Sequence, residues 1–479
     1  MHENPLGEQR GLVFDEDKAT RPIDFFSKFL RFADGPDELK IGPMFEKQVG
    51  RTITNLNLSQ NTSNLGFIGY LNGRTVTQAL NGLTMVNASV LGKLNTGTEV
   101  GASYLRAITN ATAAGTVTGS DIAYTPDPSD TVSGGSSNGG GSNAGGIVGL
   151  INATDNTTNA INLANSSVNV TGVTNVGGVV GRLNTGTMTN TVSSGAINGV
   201  TYIGGLVGRF YNAALTSSSS TSAVTTTTGN YAGGLVGWLE SSTSSLNNSS
   251  HTVGLVKGVS YVGGLIGRSD GAVGEIVSGT TTYTTFNTSN VEASNDYAGG
   301  LIGYAPSGTV RNTSASGTVT GYTVGATVNY AGYYAGGLIG WSAATSSNNR
   351  YIGLLVKGSH QTGGLIGRNT AAITDSYSTG EVQSNLSYVG GLTGYNSGAI
   401  SGTSATVGVG TTYATGNVTA SSERVGGLVG SSEGGSINNV YATGNVTGSS
   451  IYVGGLVGIN YVAINNAIAT GNVSGGSYT

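Results

Sequence analysis

The pattern Gly-Gly-x-x-Gly occurs eleven times between Gly145 and Gly458. Its first glycines are Gly145, Gly177, Gly204, Gly233, Gly263, Gly299, Gly336, Gly363, Gly390, Gly426 and Gly454. Successive copies lie as little as 27 residues apart (Gly177 to Gly204) and as much as 37 (Gly299 to Gly336). A period of this size marks a solenoid or a propeller. Two further apolar pieces stand between copies, one like "GSINNVYATG" (Gly435–Gly444), the other like "GNVTG" (Gly444–Gly448). Each period thus carries three short β-like stretches separated by Gly, Ser, Asn and Thr. A propeller blade needs four strands in about 40–50 residues, and the Gly, Thr and Val content disfavours helical repeats. Three short strands in about 27 residues fit one coil of an all-β parallel β-helix, or β-solenoid, whose coils stack about 4.8 Å apart. The handedness rule for parallel crossovers makes it right-handed.

Stacking explains why "YATGNVTASSERVGGLVG" (Tyr413–Gly430) returns almost unchanged as "YATGNVTGSSIYVGGLVG" (Tyr441–Gly458). Equivalent residues lie above one another, aliphatic residues form internal ladders, and glycine permits tight corners. Charge is scarce for the same reason, since like charges one coil apart repel by roughly 1 kcal/mol even in water. Only 9% of the residues are charged, against 37% hydrophobic and a net charge of −4. That balance separates this Gly- and Ser-rich chain from disordered ones. The chain has no Cys, which excludes a disulfide framework and thiolate metal sites. No apolar run reaches the length of a membrane span. Twenty basic residues face 24 acidic ones with no basic stripe, so nucleic acid is not an expected partner.

Charge also divides the chain. Residues 1–50 hold 7 Lys or Arg and 10 Asp or Glu, leaving 13 and 14 of the totals of 20 and 24 for all the rest. Within 1–50, "RPIDFFSKFLRFADG" (Arg21–Gly35) predicts a short amphipathic helix, with Phe25, Phe26, Phe29, Leu30 and Phe32 as its apolar stripe. This segment is expected to cap the solenoid or to dock on a neighbouring copy. Residues 51–119 are read as degenerate first coils, with "NLGFIG" ending at Gly69 and "SVLG" ending at Gly92 as imperfect copies. Residues 120–144 form a Gly/Ser/Asn-rich insertion, and 145–479 carry the regular coils. Longer periods place excursions at Tyr322–Tyr333 and Ser401–Thr412.

"YVGGLVG" followed by "SINNVYATGNVTG" resembles the GLUG-motif repeats of bacterial surface proteins. "GRTITNLNLSQNTSNLGFIGYLNG" (Gly50–Gly73) is similar to the segment that opens such arrays. The resemblance spans roughly residues 50–479 and implies an adhesin-type β-solenoid. Relatives include large adhesins and the non-catalytic parts of immunoglobulin-cleaving metallopeptidases. The peptidase signature is missing: His2-Glu3 begins an HExxH-like string, but Leu6 stands where the second His belongs.

Chemistry is sparse. "VGGLVG" lacks the Lys and the helix of a phosphate loop, and the three His residues, His2, His251 and His360, form no metal pattern. Neither cofactor nor metal is expected. One register stands out. The residue after the last Gly of the motif runs Arg182, Arg209, Trp238, Arg268, Tyr304, Trp341, Arg368, Tyr395. Stacked, these form a ladder on one outer edge, a contact strip for glycans or for another fibre. Arg209 and Arg268 are expected to flank Trp238, and Arg368 to sit between Trp341 and Tyr395. Two residues further on, Glu240 and Asp270 share a slot in adjacent coils, a carboxylate pair at the spacing used by retaining glycosidases. Arg268 offers the simpler partnership of an ion pair. A tyrosine column, Tyr202, Tyr231, Tyr261, Tyr297, Tyr334, Tyr388 and Tyr452, precedes the motif.

The expected function is therefore structural and adhesive: a non-catalytic fibre, filament or adhesin stalk, extracellular or on the cell surface, with a glycan or host surface as ligand. A phage or virion fibre, favoured by the lack of a signal peptide, is the first alternative, and a polysaccharide-active β-helix enzyme the second. The array stops where the next "YVGGLVG" is due, so self-association is expected through the open C-terminal end and residues 1–50.

Overall fold

A computed structural model of the chain describes residues 52–476, except 60–63, 72–79, 93–94, 104–106, 120–142, 153–159, 227, 275–282, 322–333 and 405–410. All of these belong to one of the chain's two units, Gly42–Thr479. The segment 1–50 with its expected helix, the excursion 322–333, most of the insertion 120–144 and half of the excursion 401–412 lie outside the described residues.

The unit is a parallel β-helix. Every described strand pairing is parallel, and among the described residues there is no helix. Two sheets contain thirteen strands each, one from every coil, and the remaining 36 strands form a third array. A representative coil runs through strands Thr201–Gly204, Val207–Tyr211, Ala213–Thr216, Ser219–Ser220 and Val224–Thr225. That is five short segments where the sequence shows three stretches. The Gly-Gly pair bends the first stretch into two sheets, and a corner divides the second.

Both glycines of the pair are demanded by close stacking. A Cβ on Gly204 would come within 3.0 Å of the Val207 and Leu235 carbonyl oxygens, and one on Gly205 would strike the Gly234 carbonyl of the next coil. The backbone continues this contact upward, with Gly205 N–H donating to Gly233 at 3.2 Å. The second glycine also leaves room for an inward side chain. Gly234 faces His251, Gly264 faces Asn287 and Gly337 faces Tyr351.

Inside, the ladders are continuous. Val179, Leu206, Leu235, Leu265, Leu301, Leu338, Leu365, Leu392 and Leu428 form one column, all fully buried. Ile197, Val224, Val256, Val291, Val319, Val356, Val382, Val418 and Val446 form another. Fully burying one such side chain contributes about 1.5–3 kcal/mol, so each coil is held mainly by its neighbours. Outside the coil, asparagine at positive φ turns the second corner. Asn190, Asn248, Asn312, Asn348, Asn439 and Asn466 adopt φ between 45° and 54°. Their carboxamides bond along the column, as Asn348 to Asn312 and Asn466 to Asn439.

The first coils correct one sequence assignment. "SVLG" ending at Gly92 is not a copy of the motif: it lies in the strand Thr84–Gly92, whose Val90 pairs with Val117 in the third array. The true copy is "NTGTEVG" (Asn95–Gly101). Asn95 pairs with Asn143 and Val100 with Val148. Thr98 replaces the second glycine there, and Glu99 replaces the core Leu, which hides the motif from pattern matching.

Candidate functional site

The motif corner carries a ladder that changes chemistry partway along the unit. In the first coils it is asparagine: Asn95 donates to Asn64, Asn143 to Asn95, and Asn175 to Asn143, at 2.6–2.8 Å. From the next coil on it is mostly tyrosine, with Gln361 and Arg424 in two of the later coils. Tyr202, Tyr231, Tyr261, Tyr297, Tyr388 and Tyr452 take φ of 55–68°, a left-handed conformation that costs a bulky residue roughly 1–2 kcal/mol. Stacking offsets it. Tyr231–Tyr261 and Tyr261–Tyr297 have ring centroids 4.5 Å apart and Tyr297–Tyr334 4.9 Å, contacts worth about 0.5–1.5 kcal/mol each. A tyrosine at this corner is thus sustained by its neighbours, which favours a run over a single ring.

The eight residues singled out by register do share one outward column. Strand pairing aligns Arg182 with Arg209, Arg209 with Trp238, Trp238 with Arg268, Arg268 with Tyr304, Tyr304 with Trp341, Trp341 with Arg368, and Arg368 with Tyr395. The guanidinium carbons of Arg209 and Arg268 both lie 4.8 Å from the Trp238 ring centre, and that of Arg368 lies 4.6 Å from Tyr395. This column abuts the tyrosines laterally. Tyr202 stacks on Trp238 at 5.3 Å, and Tyr261 meets Tyr304 edge-on at 5.5 Å. The result is a face two side chains wide.

The geometry limits what this face can do. Rings and guanidiniums stack along the helix axis, so Trp238 has a cation on each side. The middle tyrosines likewise cover one another. Outward they present ring edges, phenol hydroxyls and guanidinium N–H groups, not open ring faces. The nearby carboxylates are ion-paired. Arg209 Nε donates to Glu240 at 2.6 Å, and Arg268 to Asp270 at 3.0 Å. Trp238 Nε1 also donates to Asp270 at 2.6 Å. Further along, Arg424 lies 4.4 Å from the Tyr388 ring and bonds its hydroxyl, while Tyr395 donates to Glu433. Burial and then neighbouring tyrosines push the Tyr297 phenol well above its ordinary range.

The histidines do not converge. His251 is buried inside the coil, with Nδ1 2.7 Å from Ser289 Oγ and Nε2 3.0 Å from the Ser222 carbonyl, and burial lowers its pKa. His360 packs its ring 4.8 Å from Tyr388 on the outer face.

Sequence reading missed a second outer column. Arg350, Tyr377, Tyr413 and Tyr441 are in register, with ring centroids 4.5 and 4.6 Å apart, and Arg350 lies over Tyr283 at 4.0 Å. Its signal was present, because Tyr413 and Tyr441 each open a copy of "YATGNVT". The exposed Tyr211 was also missed, since tyrosine recurs at that offset from the Gly-Gly motif only at Tyr461.

Three stretches, 294–320, 358–383 and 421–447, match the family model described as the GLUG motif. The chain carries GLUG-motif repeats in these three stretches, and each matched stretch runs from the motif corner on through the second corner. No curated protein and no solved structure matches the chain.

Proposed function

We propose that this GLUG-repeat chain is a non-catalytic structural element, the stalk or fibre of an adhesin on the outside of a bacterial cell. The observation that carries this reading is the unbroken register of parallel strands, thirteen coils in each of two sheets. Interior coils stack largely aliphatic contacts above and below, so the unit resists opening except from its ends. The outer columns add aromatic and cation–π contacts along the same axis, each worth about 0.5–1 kcal/mol when exposed. Glu240 and Asp270 favour a non-catalytic reading, since each is held by an arginine and accepts hydrogen bonds already.

The test has two parts. Thirteen coils at the inter-strand spacing give a body roughly 60 Å long. Electron or atomic-force microscopy of the purified chain should show unbranched rods that include such a segment, singly or joined end to end. Antibody labelling of intact producing cells should decorate the surface. Compact particles without a rod, or labelling only after lysis, would refute the stalk. Hydrolysis of bacterial or plant polysaccharides that is lost on Glu240→Gln would refute the non-catalytic part.

A further inference from the structure

We propose that the guanidinium pair Arg182–Arg209, with the exposed Tyr211 beside it, binds an acidic sugar: a pyranose carrying a carboxylate or sulfate. This goes beyond the structural reading and does not depend on where the protein resides.

Three observations converge. First, Arg182 and Arg209 are direct partners in adjacent parallel strands, about 4.8 Å apart along the axis. Elsewhere in the ladder each guanidinium has an aromatic ring above and below, which spaces the charges. Here two cations meet.

Second, the acid that accompanies Arg209 and Arg268 is missing. The position two residues beyond Arg268 is Asp270, and Glu240 serves Arg209. Two residues beyond Arg182 stands Asn184, whose neutral carboxamide accepts from Arg182 Nε at 2.7 Å and donates onward to Asn152. Arg182 forms no salt bridge of its own among the described residues, and the hydrogen bond of its guanidinium to Asn184 is made through Nε. Burial and then repulsion from Arg209 lower its pKa, against the attraction of Glu240. A bound oxyanion offsets the repulsion, and the planar fork of a guanidinium suits a carboxylate or sulfate held by two parallel bonds.

Third, Tyr211 provides what the stacked columns lack. Val207–Tyr211 is the neighbouring strand, with Phe210 opposite Leu183, so Tyr211 stands between Asn184 and Glu240, the acid held by Arg209, on the same outward side as Arg209. It is 43% exposed and makes no ring contact among the described residues. Its exposed part, next to two guanidiniums, offers a pyranose a surface while the forks take its charge. A simple anion would use the forks alone, and a neutral sugar the ring alone.

The test measures binding to the full-length protein by calorimetry and ligand-observed NMR. Probes are methyl β-glucuronoside, glucose 6-sulfate, methyl β-glucoside and acetate. Expected is binding of at least one charged sugar, about tenfold or more tighter than methyl glucoside or acetate. Arg182→Gln and Tyr211→Ala should each weaken it by about tenfold or more. Arg182→Lys, which keeps the charge but loses the fork, should be intermediate. Lys257→Gln, which breaks the ion pair with Glu292 in the third array, should have no effect. Far-UV spectra check that each variant keeps its β structure. The proposal is overturned if neither charged sugar binds, if acetate or methyl glucoside binds equally well, or if folded Arg182→Gln binds like the parent.

Discussion

Asn175 and Tyr202 occupy the same corner of adjacent coils, and the carboxamide oxygen of Asn175 is buried there without a hydrogen-bond partner. Each earlier asparagine oxygen in the column accepts from the asparagine of the following coil. Tyr202 cannot donate in that position, so the ladder breaks where the aromatic face begins. An unsatisfied buried acceptor costs about 1–3 kcal/mol, and Tyr202 adds the cost of positive φ.

Tyr202→Asn should therefore be neutral or stabilising, by up to about 1 kcal/mol. The new carboxamide satisfies Asn175 and tolerates the left-handed backbone, against lost stacking on Tyr231 at 5.0 Å and on Trp238. Tyr261→Asn relieves the same φ but deletes two close stacks, with Tyr231 and Tyr297, and opens no new bond to an orphan acceptor. It should destabilise by about 1–2 kcal/mol. Urea midpoints of the two variants measured side by side decide this. Equal effects would mean that the orphan acceptor has no energetic weight.

This junction also shows how far the sequence could be read. The solenoid, its repeat and the Arg/aromatic column were legible because equivalent residues keep a fixed offset from the Gly-Gly pair. Arg209, Trp238 and Arg268 stack as that offset predicts. What was not legible is where the pattern breaks its own rule. Glu99 and Thr98 erase the motif from their coil, although the coil is present. Asn175 and Tyr202 share a slot, yet only their hydrogen bonds reveal that the slot changes role between them. The occlusion of ring faces followed from neither composition nor spacing, because it depends on how the side chains turn once they are 4.5 Å apart.

Tyr351 supplies a second test of packing. It is the largest fully buried side chain, with its hydroxyl donating to the Gly317 and Leu355 carbonyls at 3.0 and 2.9 Å. Adjacent coils place Ala315 and Ser378 in its slot. A Cβ on Gly353 would meet Tyr351 first, whose ring and hydroxyl give its three nearest contacts. Gly353→Ala should thus destabilise by about 1–3 kcal/mol. In a Tyr351→Ser background the same change should cost little. A double-mutant cycle in which the two penalties simply add would show that the glycine serves another purpose.

The aromatic column should resist ionisation. Burial and then the Tyr377 and Tyr441 phenols push Tyr413 above its ordinary range, as burial does for Tyr351. A phenol that stays protonated when folded but ionises when unfolded contributes stability below its unfolded pKa of about 10, lost as pH rises beyond it. Absorbance titration at the phenolate band should show a fraction of the tyrosines ionising only together with loss of the β spectrum. Complete ionisation at about pH 10 with the fold intact would contradict the packing of both columns.

The most direct test of the ladders uses one column twice. Glu99 and Leu265 occupy equivalent places in it, five coils apart. Glu99 has both carboxyl oxygens buried and without hydrogen-bond partners, and burial raises its pKa well above the usual 4.5. The folded chain keeps the proton that the unfolded chain has released above about pH 4.5, so the folded state is disfavoured progressively as pH rises towards the raised value. Each pH unit in that interval costs about 1.4 kcal/mol. Glu99→Leu should remove this slope, raising stability clearly at pH 8 and much less at pH 4. Leu265→Asp does the reverse in a coil enclosed between Leu235 and Leu301, and it should destabilise by several kcal/mol at pH 8 and less in acid. Hydrogen exchange resolved along the chain measures both, with the gain confined to the first coils and the loss to the coils around Leu265. A Glu99→Leu variant whose stability keeps the parent's pH dependence would show that the carboxyl reaches water, and the interior column would then end short of that coil.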